Sequence, residues 1–371
     1  MPIHSSKLER YLSAEEIAQI QRNMGNWYGP SIPIARVPGN VRIRADGDFE
    51  GRLAEGRYST LMDRTYEHMR SAMMRASRRN MGKLNAGFTS LSDLISEATA
   101  GAKRREFQFT KNGATGVAAV TNSLWGLGNM PPAGADGSAA PGGRSLTDAT
   151  TGAFPFTNPS GGDTQHFVTG YPSATVAGNT LLLYDRIFDV AKTMNSTATE
   201  SVTGVPTRYQ SSTATAADYA GGNFAFVEVG GTALAATAHN WTVCQYRNQA
   251  GTDAQSFPSM TGNSGAIARR LDHPSTSAWF MPLNGSDTGV MDFAQMQCSA
   301  LVATGVINFV IGHPIAWLPC PVVNMICVTD GLNSAFNLSR VFDDAALAFL
   351  EVNKPSTSST NYAGSFATVA G

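Results

Sequence analysis

The chain has 371 residues, 42% hydrophobic and 15% charged, with a formal net charge of −1. It is long enough for one large or two ordinary domains and apolar enough to bury a core, so it should fold. Its charge content lies well below the roughly one quarter of an ordinary soluble domain, which implies a surface largely covered by neighbours. That charge is also unevenly distributed. Residues 1–111 carry 18 Lys+Arg against 12 Asp+Glu, and the remainder carries 9 against 16. Two segments of opposite sign favour head-to-tail subunit contacts or a basic arm on a polyanion, with two differently charged solvated surfaces as the plainer alternative.

Residues Met1–Arg10 contain no apolar stretch of signal-peptide length, and no uncharged apolar run would span a bilayer. Neither export by a classical signal nor membrane insertion is expected. Ser13 begins the first element: it reads as an N-cap, with Glu16 closing a capping box and Leu12 stapling to Ile17. Gly25 ends it. From Asn26 to Asp48 the chain is punctuated by Gly29, Pro30, Pro33, Pro38 and Gly39, which predicts an extended arm.

The spacing over Ser59–Met81 predicts a helix. Met62, Tyr66, Met69 and Met73 fall on one face, and Arg64, His68, Arg75, Arg78 and Arg79 gather on the other. Those five basic residues are the candidate contact with nucleic acid or with an acidic patch on a neighbouring subunit, and a simply solvated face is the alternative. A short helix follows from Ser90 to Thr99. Gly126–Gly162 is rich in Gly, Ala, Pro, Ser and Thr, too poor in apolar residues for a core of its own, and reads as a long loop or linker.

Strand signals dominate thereafter. Thr180–Val190, Asn223–Val229 and Asn240–Arg247 are rich in β-branched and aromatic residues. Met291–Val302 alternates small or apolar with polar residues. Ala303-Thr304-Gly305 then supplies a turn before Val306–Ile311, so the pair reads as an antiparallel hairpin. Val322–Val328 and Leu347–Val352 add two more expected strands. The Ser/Thr-rich tail after Lys354 reads as an arm that orders only against something else.

Few residues suggest chemistry. There is no phosphate loop, HExxH, GxSxG or paired CxxC, and the six histidines lack metal-ligand spacing. Gly126-Leu127-Gly128 lacks the third glycine of a dinucleotide site. Asp287-Thr288-Gly289 matches the tripeptide of aspartic proteases, but no second copy exists to share a proton, and the same residues make an ordinary β-turn. Asp343-Asp344 reads as the acidic start of a helix rather than a cation site. Cys244, Cys298, Cys320 and Cys327 stand in apolar contexts and are expected as buried free thiols. No catalytic, cofactor or metal site is expected.

Three stretches carry a resemblance: Leu181–Val190 (LLLYDRIFDV), Thr242–Thr252 (TVCQYRNQAGT) and Arg340–Leu347 (RVFDDAAL) with the Ser/Thr tail. They resemble segments of bacteriophage virion structural proteins of the major capsid type, over roughly residues 105–371. The resemblance implies a non-enzymatic, self-assembling subunit present in many copies in the virion, put together in the host cytoplasm. Its partners would be copies of itself, other virion proteins and packaged nucleic acid. The expected fold is α+β and β-dominated: a basic, helical or extended arm over 1–111, a linker over 112–163, an antiparallel β-sandwich body of jelly-roll type over 164–353, and a tail over 354–371. A tailed-phage capsid fold, with Ser59–Met81 as its spine helix, is the alternative. A decoration or receptor-binding module, using Trp279-Phe280 as contacts, is the rival function, and a tail-associated hydrolase the remote one.

Overall fold

The run NTLLLYDRIFDVAKT, Asn179–Thr193, forms a single 15-residue strand in the computed structural model, and only its last residue is exposed. Both faces of such a strand are covered, so its charged residues Asp185, Arg186, Asp189 and Lys192 are buried together with its apolar ones. The structure describes residues 42–43, 49–50, 91–100, 103–113, 120–210, 220–262, 268–272, 279–331 and 338–371.

Two units divide the chain, Met1–Asp93 and Leu94–Gly371. In the first, Arg42–Ile43 pairs antiparallel with Phe49–Glu50, a short ladder at the end of the stretch expected to be extended. The helix α1 spans Leu91–Ala100, within one residue of expectation. Its Leu94 and Ala98, four apart on one face, are buried. The helix starting at Ser13 and the basic helix over Ser59–Met81 lie outside the described residues.

The second unit is built from antiparallel β-sheet. In chain order its main strands are β1 Arg104–Asn112, β2 Val120–Ser123, β3 Gln165–Ala174, β4 Asn179–Thr193, β5 Phe224–Val229, β6 Gln245–Asn248, β7 Val290–Met296, β8 Val306–Cys320, β9 Leu347–Lys354 and β10 Asn361–Ala370. A central sheet runs β5-β8-β4-β9-β2, a second holds β3-β10-β1, and a third holds β7-β6. Short strands extend the second and third sheets at their edges.

One irregularity in β4 lets it serve two cores. Ile311 of β8 faces Phe188 while Gly312 faces Arg186, so Ile187 is an extra residue at a bulge. On one face of the central sheet, Leu181, Leu183, Leu318 and Phe349 pack against Phe107, Phe109, Phe167 and Phe366 of the second sheet. Past the bulge, Phe188, Val190, Val227 and Phe309 pack against Tyr246, Val290, Phe293 and Met296 of the third. The body is therefore a β-sandwich in which one long sheet is covered by two shorter ones.

The opposite face of the central sheet, with Leu182, Tyr184, Phe226 and Leu350, is covered by Trp125, Leu146 and Ala153. These come from the Gly/Pro-rich stretch read from sequence as a linker. It lacks a core of its own, as expected, because it lies on one made elsewhere. Its glycines allow that close fit: a Cβ on Gly134 would sit 2.2 Å from the Trp125 ring, and one on Gly143, at φ +61°, 2.4 Å from Phe188.

Four sequence expectations are corrected. Val290–Met296 and Val306–Cys320 do not form a hairpin: they belong to different sheets, β7 beside β6 and β8 between β5 and β4. Local turn chemistry at Ala303-Thr304-Gly305 is outweighed by the longer ladders open to β8. The tail is not a detached arm, since β10 pairs with β1 on one side and β3 on the other, Phe366 facing both Phe107 and Gly170. Strand β1, assigned from its charge to the basic arm, buries Phe107 and Phe109 while its Arg and Glu residues point outward. Asp343-Asp344 opens no helix: Asp344 takes φ +58° in a turn leading into β9.

Candidate assembly surface

Charge inside the body is concentrated and paired. Arg186 is fully buried. Its Nη2 donates to Glu228 Oε1 at 2.6 Å and lies 3.0 Å from Asp189 Oδ2, and its guanidinium stands 4.9 Å from the Trp125 ring centroid. Arg144, from the Gly/Pro-rich stretch, holds the other Asp189 oxygen at 2.7 Å, and Asn308 donates to Glu228 at 3.1 Å. At the margin of this network Asp136 accepts from Arg269 at 2.7 Å and from the Gly231 N–H. Burial opposes its ionisation, yet these donors hold its carboxyl below the usual range. On the other face of β4, Arg208 grips Asp185 through two bonds of 3.0 and 2.7 Å, and Asp185 also accepts the Ala346 N–H. Such pairs compensate the cost of desolvating each ion.

Eleven of the 29 described charged side chains beyond residue 102 are buried: Lys111, Asp185, Arg186, Asp189, Lys192, Arg208, Glu228, Asp272, Asp292, Glu351 and Lys354. Some have neutral partners instead of an opposite charge: Lys111 donates to the Leu127 and Pro131 carbonyls, and Glu351 accepts from Asn122 and Tyr362. The outer surface of the body is thus poorer in charge than the sequence alone suggests.

The residues singled out for chemistry have structural partners. Asp287 accepts from Tyr246 Oη at 2.7 Å and Asn248 Nδ2 at 2.8 Å, while Gln249 caps the N–H groups of Thr288 and Gly289. Both its carboxylate oxygens brace the turn before β7. Asp344 accepts from Asn158 Nδ2 at 2.7 Å. A buried His239–Asp272 contact of 2.9 Å has the geometry of part of a nucleophilic triad. The other ring nitrogen, however, faces the Thr237 carbonyl at 2.9 Å, and Asp272 also accepts from Trp241 Nε1. Both ring nitrogens therefore already have a protein partner, and the contact braces the segment between Thr237 and Asp272. Burial opposes the positive charge, but Asp272 and Thr237 hold the His239 pKa above its ordinary value.

No group of three or more His, Cys, Asp or Glu that would hold a metal occurs among the described residues. Cys244, Cys298 and Cys320 are buried free thiols, and Cys327 is half-buried. Burial pushes the first and third up to about 12. Arg64, His68, Arg75, Arg78 and Arg79 lie outside the described residues.

The feature the sequence reading missed is an exposed apolar strip. Val322–Val328, expected as a strand, follows β8 as an irregular segment along the outer edge of β3. The Asn324 N–H donates to the Ala174 carbonyl at 2.8 Å and the Cys327 N–H to Pro172 at 3.0 Å, before Thr329–Asp330 pairs with β3. Ile326 is 65% exposed, Val328 64% and Met325 54%, and Val322 and Val323 are each nearly half exposed. Pro319 and Pro321 flank its start and cannot donate to a ladder. The lack of any apolar/polar alternation in VVNMICV was the available signal, since one face of an ordinary half-buried strand would be polar.

Near the same end of β8, Trp317 is exposed by 42% and packs edge-on against Trp279 at 5.2 Å, which in turn meets Phe280 at 4.8 Å. Trp279 is anchored inward on Phe224. No helix among the described residues is long and apolar enough to cross a membrane. No family model, curated protein or solved structure matches the chain.

Proposed function

We propose that this protein is a self-assembling structural subunit of a bacteriophage shell, a major capsid-type protein that encloses the genome and acts without catalysis. The observation that supports it best is the placement of charge. The body buries 11 of its 29 described charged side chains beyond residue 102, which leaves its outer surface comparatively poor in charge. Surface charge keeps monomers apart, and its depletion favours association. Many modest contacts repeated by symmetry then suffice to hold a shell. The resemblance of Leu181–Val190, Thr242–Thr252 and Arg340–Leu347 to phage virion proteins points the same way.

On this reading the β-sandwich, of jelly-roll type, forms the shell wall in the virion, and the basic segment ahead of β1 reaches neighbouring copies. Arg64, His68, Arg75, Arg78 and Arg79 meet packaged nucleic acid or an acidic neighbour. A second reading, a decoration or receptor-binding module, draws on the exposed aromatic group of Trp279, Phe280 and Trp317. Sedimentation velocity of the purified chain over a hundredfold concentration range separates the two. Large discrete species growing with concentration are expected for the shell subunit, and a constant monomer or trimer would favour the module.

A further inference from the structure

We infer that the strip Val322–Val328, with Trp317 beside it, is a docking surface for a second copy of this chain, strip against strip. The inference rests on the shell-subunit reading and names the contact through which two copies meet.

Its chemistry narrows the occupant. From Pro314 to Thr329, 16 consecutive residues carry no charge, and five large apolar side chains of the strip face outward. Together with Trp317 they expose roughly 500 Å² of apolar surface, near the upper end of what an ordinary monomer leaves uncovered. Two such strips facing each other supply about 1,000 Å², the apolar centre of a standard interface of about 1,600 Å² once a polar rim is added.

A two-fold contact sets each surface against its own copy, so any charge there would oppose a like charge. An uncharged strip meets itself without that penalty. It also runs along the rim of the second sheet, where natural proteins ordinarily place charges to prevent edge association. Here the nearest charged residue along the chain is Asp330, past the strip's end and half-buried.

Two experiments on the full chain test the assignment. In the first, Ile326→Lys with Val328→Lys places charges on two side chains that are nearly two thirds exposed, so the fold, followed by circular dichroism, should be unchanged. The self-association constant measured by sedimentation should weaken by at least about 100-fold. In the second, a short bis-maleimide is added to the native protein. A strip-to-strip contact brings two Cys327 thiols within reach and gives a covalent dimer that Cys327→Ser abolishes, because Cys244, Cys298 and Cys320 are buried. Undiminished assembly of the lysine variant, or absence of a Cys327-dependent dimer from an associating wild type, overturns the inference while leaving the shell reading in place. A wild-type chain that stays monomeric at every concentration overturns both.

Discussion

Replacing Arg186 with Met removes the cation from the centre of the body while keeping most of its volume. Glu228 then retains only Asn308 as a donor, and Asp189 only Arg144. Removing one partner of a buried ion pair costs about 3–5 kcal/mol, because the remaining charge is left without compensation. For a body of this size that lowers the melting temperature by roughly 6–10 °C. Adding Glu228→Gln removes the stranded carboxylate, so Arg186→Met/Glu228→Gln should be less destabilised than the sum of the single variants by about 1–3 kcal/mol. Urea titrations of the four proteins, followed by tryptophan fluorescence, close the cycle. An Arg186→Met protein within about 1 kcal/mol of wild type would refute the view that this network holds the Gly/Pro-rich segment to the central sheet.

Other consequences are equally direct. Phe366 touches Phe107 at 4.8 Å and Phe154 at 5.0 Å between the central and second sheets, and Phe366→Ala should cost about 3–5 kcal/mol in denaturant titrations. Deleting Asn361–Gly371 removes the strand between β1 and β3 and should yield an unfolded chain by circular dichroism, where a detached tail would be dispensable. Burial lowers the His166 pKa to about 4. The folded state therefore resists protonation below pH 6.5, and stability intact above that pH is lost as pH falls through about 4, on the order of 3 kcal/mol from this group. His166→Gln should flatten the stability profile across that window. His239 works in the opposite sense: its raised pKa gives stability that is present in acid and lost as pH rises through the folded value, so His239→Gln should matter least at high pH. Deleting Met1–Asp48 should leave a folded body that no longer assembles, as judged by gel filtration.

Much of the sandwich was legible because its strands carry their own signals. Thr180–Val190 and Leu347–Val352 stand out by their apolar and aromatic residues, and each extends by only a few residues in the structure. Pairing was not legible. Whether Val306–Ile311 joins Met291–Val302 or crosses to another sheet is decided by the ladders that β4 and β5 offer, which no local pattern records. The tail misled through composition: Tyr362, Phe366 and Val369 are widely spaced among Ser, Thr, Ala and Gly, yet those small residues suit a strand pressed between two others. Asp287 stood out as a motif because three adjacent residues are easy to notice, whereas its partners Tyr246 and Asn248 are some 40 positions away. The apolar strip was expected as a strand because Val322, Val323, Ile326 and Val328 are β-branched, a propensity that records neither regular pairing nor exposure.

The central claim is that copies of this chain build a closed structure. Negative-stain electron microscopy of the purified full-length protein, at a concentration where sedimentation shows association, tests it most directly. Closed particles of uniform size are predicted, and a field of dispersed monomers or small rings at that concentration would contradict the account.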